Sequence, residues 1–227
     1  MKDKSKLTGK NPNNLKQAII LNLALQEADI EPRDCIIKIN HDKGLSYVNS
    51  VELPIIFPKK WFKHTSKLHT LKKEYKFYFN GHIGKGSSRE TLLQRFINRN
   101  DCKVVWSDDG RVIAKKDKYN TDYFTGLAKS EYGLCPHQPG WKGDMDALWT
   151  YRYIECLMSK VIPVNFKETP LSKKFTEDSY FVWDDNILET DRELDKDLLD
   201  HNYNFALSKF TLNPKQVRTI NKFMKKV

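Results

Sequence analysis

Four apolar segments with the composition of β-strands begin near residues 75, 102, 132 and 161, and this spacing constrains the fold more than any other feature. The intervals are 27, 30 and 29 residues (102 − 75, 132 − 102 and 161 − 132). One strand, one helix and two connections fill such an interval, and repeated βα units build a parallel sheet with helices on its faces. The sequence therefore predicts an α/β fold with a Rossmann-like, parallel-sheet domain.

The segments between these strands have helical patterns, in "SSRETLLQRFINRN", "TDYFTGLAKS" and "DMDALWTYRYIECLMSK". A further strand is predicted in "SYFVWD" and two more helices after it, the second with Pro214 near its first turn. Upstream, the sequence predicts a helix in "NNLKQAIILNLALQEADI" and strands in "CIIKIN" and "SVELPIIF". We expect a reduced N-terminal domain at 1–71, the Rossmann-like domain at 72–205 and a C-terminal helix at 206–227.

The composition narrows the class of protein. A net charge of +10, from 39 basic and 29 acidic residues, favours an anionic partner, although much of the excess lies at the termini. The four cysteines form no CxxC pair and no cluster with histidine, so the sequence indicates neither structural zinc nor a disulfide framework. No run of 18 apolar residues and no signal-peptide core is present. We expect a soluble, cytoplasmic protein that can still work beside a membrane.

The loops that follow the strands are where a ligand is expected, because open α/β sheets bind ligands at the carboxyl ends of their strands. In "FNGHIGKGSSRE" three glycines, Gly81, Gly84 and Gly86, lie between a strand and a helix, where backbone amides can approach a phosphate. The spacing matches neither a Walker loop, since Lys85 precedes a glycine, nor GxGxxG. A turn capped by one of the following serines explains it equally well. Arg89 in the first helical turn opposes the helix dipole unless an anion binds there.

The loop "CPHQPGWKGD" leads into a helix that begins near "DMD". Asp144 and Asp146 resemble a metal-binding DxD motif, but their position favours an N-cap and a dipole-stabilising carboxylate. A phosphate at this terminus requires Lys142 or His137 to offset their charge.

Arg152 and Glu155 lie three residues apart in that helix, so they share one face. As an exposed pair they contribute only about 0.2–0.5 kcal/mol. In a functional interpretation the carboxylate accepts both ribose hydroxyls of a nucleotide while the guanidinium neutralises a diphosphate.

The segment "YGLCPHQPGW…TYRYIECLMSKVIPV" resembles the C-terminal motif of the exostosin-like glycosyltransferases, glycosyltransferase family 47. That motif joins a Cys-Pro strand end, a Gly-rich loop, a helix with Arg-x-x-Glu and a strand ending Pro-Val. The matching residues here are Cys135, Pro136, Arg152, Glu155, Ile162, Pro163 and Val164. The upstream Gly81, Arg89 and Leu92 are similar to the family's Gly and Arg-x-x-Leu element. Ser159 and Lys160 stand where the family has a small residue and glycine. The resemblance covers roughly residues 50 to 185.

This resemblance implies a GT-B fold with a reduced acceptor half, a nucleotide-sugar donor, inversion at the anomeric carbon, no bound metal and no cofactor. The donor, a UDP sugar as first choice, is a substrate. The donor-binding residues are then Gly81, Arg89, His137, Lys142, Arg152 and Glu155, with Trp141 or Tyr132 stacking on the base. Inversion needs a base at the acceptor hydroxyl, for which "INHDKG" offers His41 and Asp42 as catalytic residues. A polar turn is the simpler interpretation of that segment.

The expected partners are a nucleotide sugar and a glycan or other hydroxyl acceptor, with no nucleic acid, and the short N-terminal half leaves room for a second copy of the chain. Two alternatives stay open. A phosphate-loop enzyme of the kinase or sulfotransferase kind would use the glycine loop. A basic nucleic-acid-binding protein would need clustered cations and would bind with a steep salt dependence.

Overall fold

The computed structural model describes residues 37–40, 44–47, 52–53, 56–106, 119–136, 151–166, 179–183 and 194–224. These residues fall into two compact units. One contains the described residues up to Phe62, Tyr119 and the residues from Leu207 onward. The other runs from Lys63 to Trp106 and from Asn120 to Ala206.

The larger unit is built on a five-stranded parallel sheet, as the βα spacing predicts. Its strands are β4 (Tyr75–Gly81), β5 (Cys102–Trp106), β6 (Ser130–Leu134), β7 (Ile162–Asn165) and β8 (Val182–Trp183). Its helices are α2 (Ser88–Ile97), α3 (Thr121–Ala128), α4 (Tyr151–Met158) and α5 (Lys196–Lys209), whose last residues belong to the smaller unit. The predicted α/β fold is confirmed, and the architecture is consistent with a Rossmann-like domain.

The order of the strands is β5-β4-β6-β7-β8, so the chain reverses its direction of travel across the sheet after β5. After β4 it passes to one side to form β5, and then returns across β4 to form β6. The carboxyl ends of β4 and β6 therefore flank a topological switch point, where connections leave towards opposite sides and open a crevice. This crevice is the position where the fold class places ligands.

The two faces of the sheet are covered by different helices. On one face Leu93 and Phe96 of α2 lie in a single buried cluster with Phe77 and Phe79 of β4. On the other face α3 approaches so closely that a side chain at Gly126 would collide with the Tyr78 ring. The α4 side chain Cys156 occupies in the same way the space left by Gly133 of β6. Because side chains alternate along a strand, odd and even positions of β4 serve the two faces.

Helix α4 ends in a Schellman motif. The amide of Lys160 donates to the carbonyl of Leu157, and the amide of Val161 donates to that of Cys156. Lys160 adopts the left-handed conformation, with φ of 52°, that such an end requires. Glycine adopts it without strain, so the lysine at this position carries a conformational cost.

At the amino edge of the sheet, Lys73 connects several elements through hydrogen bonds. Its Nζ donates to the carbonyls of Ala128, Ser130 and Lys160 at 2.9, 2.7 and 3.5 Å. These carbonyls belong to the ends of α3 and α4 and to the start of β6. The lysine thus satisfies acceptors that helix ends leave unpaired.

The smaller unit contains a three-stranded antiparallel sheet of β1 (Ile37–Asn40), β2 (Gly44–Tyr47) and β3 (Glu52–Leu53). The sequence predicted strands at β1 and β3 but missed β2. Helix α1 (Lys59–Ser66) begins in this unit, and α6 (Pro214–Met224) belongs to it. The predicted helix at 13–30 lies outside the described residues. In the described part of the chain, no helix combines the length and apolar character needed to cross a membrane.

Candidate functional site

Arg152 lies in the first turn of α4, and its guanidinium reaches across the carboxyl edge of the sheet. The side chain is buried, with 9% of its surface exposed. Its Nη2 donates to the carbonyl oxygen of Asn80, in β4, at 2.8 Å, and its Cζ lies 4.2 Å from the centre of the Phe79 ring. The ring attracts the cation and the carbonyl orients it, so the guanidinium is held at the end of β4.

Gly81 provides the space for this arrangement. A Cβ atom at Gly81 would lie 2.5 Å from Nη2 of Arg152, closer than real Cβ contacts allow. Any side chain there would force the guanidinium away from the Asn80 carbonyl. The glycine predicted as part of a phosphate loop therefore serves the position of Arg152.

Arg89 reaches the same place from the opposite face, out of the first turn of α2. Its Nη1 donates to the carbonyl of His82 at 2.9 Å and its Nη2 donates to that of Pro136 at 3.2 Å. These two carbonyls belong to the loops that follow β4 and β6. The Cζ of Arg89 lies 5.9 Å from the centre of the Phe79 ring, so both guanidinium groups share this ring.

Arg152, which is buried, and Arg89, which is half-buried, together form a cationic centre at the switch point. Burial, and then the positive charge of Arg152, lower the pKa of Arg89. The Nε atoms of both arginines are buried without a hydrogen-bond partner among the described residues. Within the same residues, neither guanidinium forms a salt bridge with a carboxylate. Two adjacent cations with unused donors are a suitable site for an anion that has several oxygen atoms.

Glu155 lies one helical turn after Arg152 and is 4% exposed. Its Oε2 accepts a hydrogen bond of 2.6 Å from the hydroxyl of Tyr123 in α3. Burial, and then the charge of Glu155, raise the pKa of Tyr123 well above its usual value, so the phenol remains a donor. The interpretation of Arg152 and Glu155 as an exposed surface pair is wrong, because both side chains are buried.

Side chains from the first turn of α2 occupy backbone amides at the end of the glycine loop. Ser87 is the N-cap of α2 and its Oγ accepts from the amide of Glu90 at 3.2 Å. The Glu90 carboxylate in turn accepts from the amide of Gly86. This reciprocal arrangement, close to a capping box, uses an amide and places a negative charge where a phosphate loop would bind. It supports the turn interpretation of the loop, and the phosphate-loop alternative finds no support in this geometry.

The structure brings four of the predicted donor-binding residues together, namely Gly81, Arg89, Arg152 and Glu155. His137 and Lys142 lie outside the described residues. The predicted catalytic His41 and Asp42 also lie outside them, in the sequence between β1 and β2.

Some of the other expectations can also be compared with the structure. The aspartates of "DMD" and the stacking candidate Trp141 are not among the described residues. The other stacking candidate, Tyr132, is wrong: it is 3% exposed and packs on Phe77 with the ring centres 5.6 Å apart. Its ring has no free face for a base. Among the described residues, no three His, Cys, Asp or Glu side chains lie close enough together to hold a metal ion.

Sequence reasoning missed three features near the site. The sequence places Tyr123 in a helix but does not indicate that its hydroxyl donates to Glu155. Trp106 ends β5 and remains exposed at the carboxyl edge of the sheet. Cys135 and Cys156 lie with their sulfur atoms 3.9 Å apart, both buried and unbonded. Of these, Trp106 is foreseeable from the sequence, because it lies at the carboxyl end of a predicted strand, where this fold class binds ligands.

No family model matches the chain, and no curated protein is significantly similar to it in sequence.

Proposed function

We propose that this chain is an inverting, metal-independent glycosyltransferase of exostosin-like, GT-B type, which transfers a sugar from a nucleotide sugar to a hydroxyl acceptor. The observation that carries the proposal is the pair of adjacent guanidinium groups, of buried Arg152 and half-buried Arg89, at the switch point of a parallel sheet. Glu155 offsets only one of these two positive charges, and a net positive charge in a largely buried position is costly unless a further anion accompanies it. A nucleoside diphosphate is an anion of suitable size for this position in the fold class.

The two arginines would stabilise the leaving group. In an inverting transfer the acceptor oxygen attacks the anomeric carbon as the bond from that carbon to the diphosphate oxygen breaks. Negative charge then develops on the diphosphate, which becomes the free nucleoside diphosphate. Guanidinium donors held in place by Asn80, His82 and Pro136 stabilise that charge without having to reorient. They provide this stabilisation most strongly in the transition state.

Glu155 would bind the ribose. Its carboxylate is held by the hydroxyl of Tyr123, and a carboxylate has acceptor positions on both oxygens. Ribose hydroxyls are donors, and a buried carboxylate next to Arg152 can accept both. The carboxylate and the guanidinium would thereby fix the nucleoside and the diphosphate with respect to each other.

The remaining roles are proposals from the sequence. The acceptor hydroxyl gives its proton to a base, for which His41 or Asp42 is proposed. His137 and Lys142, which follow β6 in the sequence, are proposed to complete the diphosphate site.

The proposal is tested by thermal unfolding in the presence of UDP, GDP and their sugar conjugates. A nucleotide at 100 times its Kd stabilises the native state by about 2.7 kcal/mol. We expect at least one nucleotide to raise the Tm of the wild type, and Arg152→Gln and Glu155→Gln to abolish the response. Arg99→Gln is the matched control, because Arg99 forms an exposed ion pair with Asp101 away from the site. The proposal is refuted if no nucleotide raises the Tm of the wild type, or if Arg152→Gln responds as Arg99→Gln does.

A further inference from the structure

Trp106 is a large apolar side chain exposed at the ligand-binding edge of the sheet. It is the last residue of β5, and 43% of its surface is exposed. No other large hydrophobic side chain is exposed among the residues whose burial the structure describes. The other apolar side chains of β5, Cys102, Val104 and Val105, are half-buried, so an indole left in water at the end of this strand requires an explanation.

The register of the sheet places Trp106 beside the cationic centre. Trp106 and Gly81 are direct partners in the parallel pairing of β5 with β4. Neighbouring strands lie about 4.8 Å apart, and partner residues project to the same face of the sheet. Nη2 of Arg152 lies 2.5 Å from the place where a Gly81 Cβ would project. The indole therefore stands on the same side of the sheet as this guanidinium, one strand away.

Glu155 approaches the centre from the opposite face. Glu155 accepts a hydrogen bond from the hydroxyl of Tyr123 in α3. The ring centre of Tyr123 lies 6.4 Å from that of Tyr78, which projects from β4 to the face opposite Phe77 and Phe79. The centre consequently has a carboxylate on one face of the sheet and an exposed indole on the other. A ligand bound across it would meet an acceptor of hydroxyl protons at one end and a flat apolar surface at the other.

We infer that Trp106 is the platform on which the transferred sugar ring of the donor stacks. This inference rests on the proposed function, in which the diphosphate binds Arg89 and Arg152 and the ribose binds Glu155. The diphosphate then separates the nucleoside, on the Glu155 side, from the sugar, on the Trp106 side. A pyranose ring has an apolar face of C–H groups that packs on an indole, while its hydroxyls remain at the rim in contact with water.

The test is isothermal titration of the full chain with UDP, UDP-glucose, UDP-N-acetylglucosamine, GDP and GDP-mannose. In the wild type we expect one conjugate to bind at least tenfold more tightly than its parent nucleotide. Trp106→Ala should remove this difference and leave the Kd of the parent nucleotide within twofold. Trp106→Phe, which keeps a flat ring, should retain most of it. Lys103→Ala is the control on the same strand, since Lys103 contacts Tyr75 at the amino end of β4.

Each other outcome overturns the inference in a recognisable way. Equal loss of affinity for nucleotide and conjugate in Trp106→Ala would mean that the indole contacts the nucleoside. Unchanged affinities in that variant, or a wild type with no preference for any conjugate, would mean that the sugar does not touch Trp106. All three of these outcomes leave the proposed function standing. Only the absence of binding by every ligand in the wild type removes the proposed function, and the inference with it.

Discussion

Replacing Gly81 by alanine should disable the site without touching either arginine. The new Cβ would lie 2.5 Å from Nη2 of Arg152, so the guanidinium has to leave the Asn80 carbonyl that it now contacts at 2.8 Å. A hydrogen bond to a charged group contributes about 1.5–3 kcal/mol. The displaced cation also loses part of its interaction with Phe79, worth about 0.5–2 kcal/mol. We expect Gly81→Ala to lower the free energy of unfolding by about 2–3 kcal/mol, within the range of these two effects.

The measurement is urea unfolding, with nucleoside diphosphate titrations on the same samples. Gly84→Ala is the matched control, because a Cβ there has its nearest neighbours at 3.7 Å. Removing the flexibility of that glycine should change stability by less than about 1 kcal/mol, in the stabilising direction if at all. We also expect Gly81→Ala to weaken nucleotide binding at least tenfold. Equal stability of the two variants would refute the proposed role of Gly81 in positioning Arg152.

Two other residues give predictions that depend on the fold alone. Lys160 lies at the end of α4 in the left-handed conformation, so Lys160→Gly should be more stable than Lys160→Ala by about 1 kcal/mol in urea unfolding. Both variants lose the ion pair with Asp200, and only glycine relieves the backbone strain. Equal stabilities of the two variants would contradict this prediction. Burial lowers the pKa of Lys73 to about 8, so with rising pH the native state releases this proton before the unfolded chain does. The free energy of unfolding of the wild type should therefore rise between pH 8 and 10 relative to that of Lys73→Met, which binds no proton at this position. If the free energies of unfolding of the two proteins change with pH in parallel, a lowered pKa of Lys73 is excluded.

The sequence is sufficient to predict the parallel sheet, because regular strand spacing and apolar periodicity are local properties of the chain. It does not predict the environment of Arg152 and Glu155. Arg152 bonds the backbone of Asn80, 72 residues earlier, and Glu155 bonds Tyr123, 32 residues earlier. Whether a charged side chain is buried depends on such distant partners, and composition favoured an exposed pair. The family resemblance pointed to Gly81, Arg89, Arg152 and Glu155, which lie together in the structure, while the strand order that brings Trp106 next to Gly81 is a long-range property.

The side chains of the two arginines connect two halves of the sheet, one formed by β4 and β5 and the other by β6, β7 and β8. Arg89 comes from the half that begins with β4 and bonds the carbonyl of Pro136 in the other half. Arg152 comes from the second half and bonds the carbonyl of Asn80 in the first. In evolutionary terms, drift at either position changes the docking of the two halves and, under the proposed function, the affinity for a diphosphate. Selection on stability and selection for the proposed activity would therefore act here on the same two codons.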